Sequence, residues 1–211
     1  MKTYLTVKNQ HQTELLIKKS TFICSVSRTE SEEQATQFIT QVKASHAKAT
    51  HNCFAYLLGM QNEIQRSSDN GEPSGTAGHP ILEVLKKNNL RNVTAVVTRY
   101  FGGIKLGTGG LIRAYSQATS QALTAETIVI CQPQQILELE IAYPQLGKLQ
   151  HFLESEAISL INTEYLVSVT LTVAVPQENA TQFEKKVIEL LNNAVKIKKG
   201  QLRYRELPYH A

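Results

Sequence analysis

Asn92-Val-Thr-Ala-Val-Val-Thr-Arg-Tyr-Phe-Gly-Gly-Ile-Lys-Leu-Gly-Thr-Gly-Gly-Leu-Ile-Arg113 is the run on which the fold turns. Its first part is apolar and β-branched, the composition of a central strand buried on both faces. Glycines then break the pattern. From Thr108 the spacing is helical, which predicts a helix capped by Thr108 and running to about Ala125. The first N–H groups of such a helix lack internal partners and carry partial positive charge. Gly102 and Gly103 permit a turn closed to other residues, and Gly109 and Gly110 let an anion lie directly on the backbone. Arg99, Lys105 and Arg113 would add charge-assisted bonds. The competing reading is that the glycines solve a tight strand–helix packing problem. The loop has neither the Gly-Lys-Ser/Thr of a phosphate-binding P-loop nor the Gly-x-Gly-x-x-Gly of a dinucleotide fold, so no cofactor is implied.

A second glycine-rich segment lies upstream: Asp69-Asn-Gly-Glu-Pro-Ser-Gly-Thr-Ala-Gly-His-Pro80. Asp69-Asn-Gly is a turn signal, and Thr76 is the expected N-cap of a helix over 76–88. Capping and turn chemistry leave Glu72 among the glycines and His79 at the helix start without a structural task. Asp69, Glu72 and His79 are therefore the candidates for proton chemistry, with no catalytic assignment fixed.

Working outward, the first 30 residues read as strands, with Lys18-Lys19-Ser20 interrupting the apolar run. Lys19 either reaches an anion or sits on a solvated edge. Ser31 is placed to cap a helix whose apolar stripe is Ala35, Phe38, Ile39 and Val42. His51 to Leu58 predicts a strand with Cys53, Ala55 and Leu57 on one face, and Glu63 to Ser68 its hairpin partner. His46, His51 and Cys53 lack the spacing of a structural metal site, so no metal is expected. The polar stretch Cys131-Gln-Pro-Gln-Gln reads as a connector between a domain over 1–132 and another over 133–211. The second shows the order β-α-β-β-α-β of a ferredoxin-like fold. On its last strand Lys196 would share a face with Lys198, and Arg203 with Arg205. The expected class is α+β in two domains.

The net charge is +4, unevenly spread. Residues 1–135 carry 14 Lys+Arg against 9 Asp+Glu, and no acid lies between Glu83 and Glu126. That span suits an anionic partner, or is a solvated basic face. Three widely spaced cysteines make no disulfide framework and imply a reducing compartment. The N-terminus shows no signal-peptide core, and no run has membrane-spanning length, so a cytoplasmic protein without a membrane partner is expected.

Four segments together resemble the IMPACT family, in its bacterial YigZ branch: Lys18-Lys-Ser-Thr-Phe-Ile23, His51-Asn-Cys-Phe-Ala55, Asp69 to Pro80, and Val96 to Tyr115. The resemblance implies an N-terminal α+β domain similar to domain IV of elongation factor G. It also implies a ferredoxin-like C-terminal domain similar to domain V of that factor. Eukaryotic members regulate translation by binding the activator of an initiation-factor kinase, and they carry an extra N-terminal binding domain that is not expected here. Two functions are therefore expected as alternatives. One is a translation-linked regulator binding RNA or the ribosome, with a protein partner as a variant of it. The other is an enzyme acting on a small phosphorylated substrate at the two glycine-rich loops.

Overall fold

The computed structural model describes residues 1–124 and 126–209. The fold is α+β, with two compact units. One comprises residues 4–131 together with the last residues from Glu206, the other Met1–Thr3 and Gln132–Arg205.

In the first unit the strands are β1 (Tyr4–Val7), β2 (His11–Ile17), β3 (Ser20–Arg28), β4 (His51–Leu58), β5 (Ile64–Ser68) and β6 (Val93–Tyr100). The helices are α1 (Glu32–Ser45), α2 (Gly78–Lys87) and α3 (Thr108–Ala122). An antiparallel sheet runs in the order β2-β3-β6-β4-β5. Strand β6 lies at its centre, as its apolar run requires. Val93, Ala95 and Val97 join the core under α2 and α3, while Val96 joins the core under α1. The sheet is thus covered on both faces, and period-two alternation decides which face each residue meets. Ser31 caps α1 as expected, its hydroxyl accepting from the Gln34 amide at 3.2 Å.

Helix α2 departs from the sequence reading. Its N-cap is Ala77, and the Thr76 hydroxyl instead donates to the Pro73 carbonyl at 2.7 Å. The cap comes from Asp69. One carboxylate oxygen accepts from Ala77 and Gly78 at 3.0 and 2.8 Å, the other from Gly75 at 2.8 Å. The loop folds back far enough to bring a carboxylate onto N–H groups that a side chain at position 76 does not serve. Gly78 must be glycine, since a Cβ there would sit 2.6 Å from the Ser68 backbone nitrogen. Helix α3 departs in a smaller way. Gly107, at φ 72°, is its N-cap, Thr108 is its first residue, and it ends at Ala122. Ala125, the expected end, lies outside the described residues.

The second unit holds most of β7 (Ile128–Ile141), then α4 (Leu146–Ser155), β8 (Ser159–Tyr165), β9 (Val169–Pro176), α5 (Ala180–Leu190) and most of β10 (Lys196–Pro208). The strand order β10-β7-β9-β8 is the split β-α-β arrangement of a ferredoxin-like fold. Leu137 and Leu139 of β7 and Leu171 and Val173 of β9 pack with Leu149, Leu153, Phe183 and Val187 of the two helices into one core. One expectation fails in this part of the chain. The polar stretch from Cys131 is not a loop but part of β7. β7 pairs with β1 up to Cys131 and with β9 from Gln134, so Pro133, which has no N–H, falls where the strand changes partner. Lys196 and Lys198, expected on one face of β10, are both in ion pairs. They meet Glu140 and Glu138 at 3.1 and 3.0 Å.

The Asp69 cap gives a prediction. Partial burial pushes its carboxyl up, but the N–H groups of Gly75, Gly78 and Ala77 outweigh this and hold it below its ordinary value of 3.8. The charged cap is therefore complete above that value and is lost as pH falls through the lower folded value. Asp69→Ala is expected to cost about 2 kcal/mol of unfolding free energy at pH 7. In urea titrations the gap to the unsubstituted protein should narrow below pH 3.8.

Candidate functional site

Alternation along the strands builds one end of the first unit's sheet. Cys53 and Val97 face α2 and α3, so His51 and Arg99, two residues away, face the same side. Register sets Phe22, Arg99 and His51 in one row across β3, β6 and β4. An arginine in this position is buried, only 5% exposed, and must be neutralised. Glu72 from the first glycine-rich loop does so, accepting from Arg99 Nη1 at 2.7 Å. The same Glu72 oxygen accepts from the Tyr115 hydroxyl of α3 at 2.8 Å. The guanidinium lies near the rings of Phe22 and Phe101, at 5.5 and 5.4 Å from their centroids. Its Nε is buried with no hydrogen-bond partner among the described residues.

His51 borders this network. Its Nδ1 lies 2.9 Å from the Asn70 carbonyl, which can only accept, so Nδ1 carries a proton. Nε2 is left facing Glu72, 3.9 Å from the second carboxylate oxygen. Behind them Cys53 Sγ lies 2.8 Å from the Asp69 carbonyl and 3.4 Å from the Tyr115 hydroxyl. Burial pushes the Cys53 thiol up to about 12, against a lowering by Tyr115, which favours the thiol over the thiolate. Burial, then Cys53 and Glu72, hold the Tyr115 hydroxyl well above its ordinary range.

In front of the network is a cleft of about 480 Å³. The first glycine-rich loop supplies Glu72 and Pro73, and the second supplies Lys105, Leu106, Gly107 and Thr108. Thr50, His51, Arg99, Phe101 and Leu111 complete the lining. The two loops thus share one concavity.

The match of these segments to known proteins follows the same division. A family model described as the Impact N-terminal domain matches residues 18–123. A second, described as a domain of unknown function (DUF1949), matches residues 139–194. The IMPACT family member YvyE of Bacillus subtilis (strain 168) is 44% identical over 204 residues, covering 97% of this chain and 94% of that protein. The chain belongs to the IMPACT family. The family member YigZ of Escherichia coli (strain K12) is 37% identical, covering 86% of this chain and 90% of that one. A solved structure titled as a hypothetical protein superposes with a TM-score of 0.61 at 35% identity, covering 93% of this chain and 97% of its own.

Of the residues singled out in this IMPACT-family sequence, Glu72, Arg99, Lys105 and Thr108 line the cleft. Gly102, Gly103, Gly109, Gly110, Arg113 and Lys19 lie outside its lining, on the rim formed by the loop, α3 and the β2–β3 hairpin. Asp69 is occupied with capping, and His79 is exposed at the start of α2. His46 is engaged elsewhere, its Nδ1 3.0 Å from the Tyr100 hydroxyl. Among the described residues no group of three His, Cys, Asp or Glu side chains is placed to hold a metal ion, and no helix is long and apolar enough to cross a membrane. Sequence reasoning passes over Tyr115 and undervalues His51. The signal for His51 is present, because a strand that buries Cys53 sends His51 to the same face.

Two measurements check this network. Glu72→Ala and Arg99→Ala should each lower unfolding free energy by about 3 kcal/mol, and the double variant should cost less than their sum, because each single change strands a buried group. Cys24, Cys53 and Cys131 are all buried, so a disulfide thiol reagent at mildly alkaline pH should label none of them in the folded protein and all three in urea.

Proposed function

We propose that this chain is a translation-linked regulatory protein that binds RNA or the ribosome through the glycine-rich rim of its N-terminal unit. The observation that carries the proposal is the composition of that rim. Lys18, Lys19, Lys105 and Arg113 are exposed, and among the described residues none of the four is in an ion pair. They belong to neighbouring segments, since the Gly102 amide donates to Ser20 Oγ at 3.1 Å and the loop leads directly into α3. Phe101 and Ile104 stand out on the same loop, 47% and 41% exposed. Cations that follow a phosphate backbone beside an exposed aromatic ring are the ingredients of single-strand recognition. The link to translation rests on the family resemblance.

The rim is narrower than the acid-free span of sequence. Arg99 is neutralised by Glu72, and Lys86 pairs with Glu83 at 2.9 Å. With four cations on phosphates, the plot of log affinity against log salt should have a slope of about −3 for single-stranded RNA. Lys18→Ala/Lys19→Ala/Arg113→Ala should bring that slope to about −1 and weaken binding uniformly across sequences. Filter binding and ribosome co-sedimentation at low salt are the measurements. Absence of both interactions would overturn the proposal.

A further inference from the structure

We infer that the cleft between the two glycine-rich loops is a binding site for a small phosphate monoester with an apolar or aromatic body. This goes beyond the RNA proposal: the cleft shares Lys105 and Phe101 with the surface proposed for RNA, but its ligand is a small molecule held between the two loops. Three observations converge. The volume, about 480 Å³, lies in the range of small-molecule sites. Pro73, Phe101, Leu106 and Leu111 give it apolar walls, which suit the body of such a molecule and not a bare ion. The same lining holds Lys105 and the start of α3, a 15-residue helix whose N-cap, Gly107, offers no side-chain bond to the first N–H groups. Of these, the N–H of Thr108 belongs to a residue that lines the cleft and can receive a phosphate, and Lys105 adds a cation to the same lining.

The wall itself gives an independent sign. Arg99 is buried in the cleft wall, yet its bond to Glu72 uses Nη1, and its buried Nε has no partner among the described residues. The unpartnered Nε leaves hydrogen-bonding capacity unused in the wall of the cleft. His51 Nε2 is a further polar atom of the wall, fixed by the Nδ1–H bond to Asn70 and turned toward Glu72 at the edge of the cleft. With the proton on Nδ1, Nε2 of the neutral ring is an acceptor positioned for a ligand hydroxyl.

The test is isothermal titration of the full chain with phenyl phosphate, inorganic phosphate and phenol. Phenyl phosphate should bind about tenfold or more tightly than either inorganic phosphate or phenol, because each of these lacks one half of the recognition. Lys105→Ala should weaken phenyl phosphate about tenfold. Thr108→Trp, at an exposed position, should fill the cleft and abolish binding while circular dichroism stays unchanged. Lys18→Ala/Lys19→Ala should leave it intact, which separates the cleft from the rim. The inference is overturned if phenyl phosphate fails to bind at ~10 mM, a concentration that reveals even weak sites. It is equally overturned if phenyl phosphate and inorganic phosphate bind alike, or if Thr108→Trp binds as the unsubstituted protein does.

Discussion

The buried pair of Arg99 and Glu72 is the constraint on which the functional end of the N-terminal unit depends. Strand β6 is covered on both faces along most of its length, so a cation at position 99, in the wall of the cleft, is only 5% exposed and largely withdrawn from water. It requires a carboxylate, and the loop before α2 supplies one. Drawing Glu72 onto the sheet end draws the whole loop with it. Asp69 is then placed to cap α2, and Asn70 to hold His51. Tyr115 brings α3 into the same network. Removing either ion leaves the other uncompensated in low dielectric, which is why such pairs fix geometry even when their net contribution to stability is small.

Charge elsewhere is arranged differently. Lys196 and Lys198 lie on the open face of the second unit opposite Glu140 and Glu138, with lysine side chains 82% and 77% exposed. Such pairs contribute roughly 0–1 kcal/mol each, so their main effect is on the field. They cancel part of what the sequence of the last strand presents as a basic stripe. Neutralisation of Arg99 within the first unit leaves its rim with a cluster of cations outside any ion pair among the described residues.

Much of this is legible from residues whose signals are local. The buried run of β6, the Ser31 cap and the β-α-β-β-α-β order all depend on neighbours within a few positions. What escapes depends on tertiary placement. Thr76 has the right chemistry and spacing for a cap, and loses to Asp69 because the Glu72–Arg99 pair folds the loop back. The Lys196–Glu140 pairing needs the register between β7 and β10, which no local pattern states. Cys131 to Gln135 looks like a linker because it is polar and contains a proline, yet a strand that changes partner at that point tolerates both.

The two glycine-rich loops pose a choice between packing and anion binding, and the answer differs from one glycine to the next. Gly102 is a packing glycine: a Cβ would lie 1.9 Å from the Lys19 carbonyl oxygen. Gly110 is close to one, with Leu106 Cβ 3.0 Å from the same hypothetical atom. Gly107 answers to backbone shape, at φ 72° with open space around it. Gly109 fits neither explanation. Its backbone is helical, and the nearest neighbour of an added Cβ is the far end of the Arg113 side chain at 3.7 Å. Helix propensity disfavours glycine there by about 1 kcal/mol relative to alanine. The proposed binding of an anion at the start of α3 would give that cost a purpose.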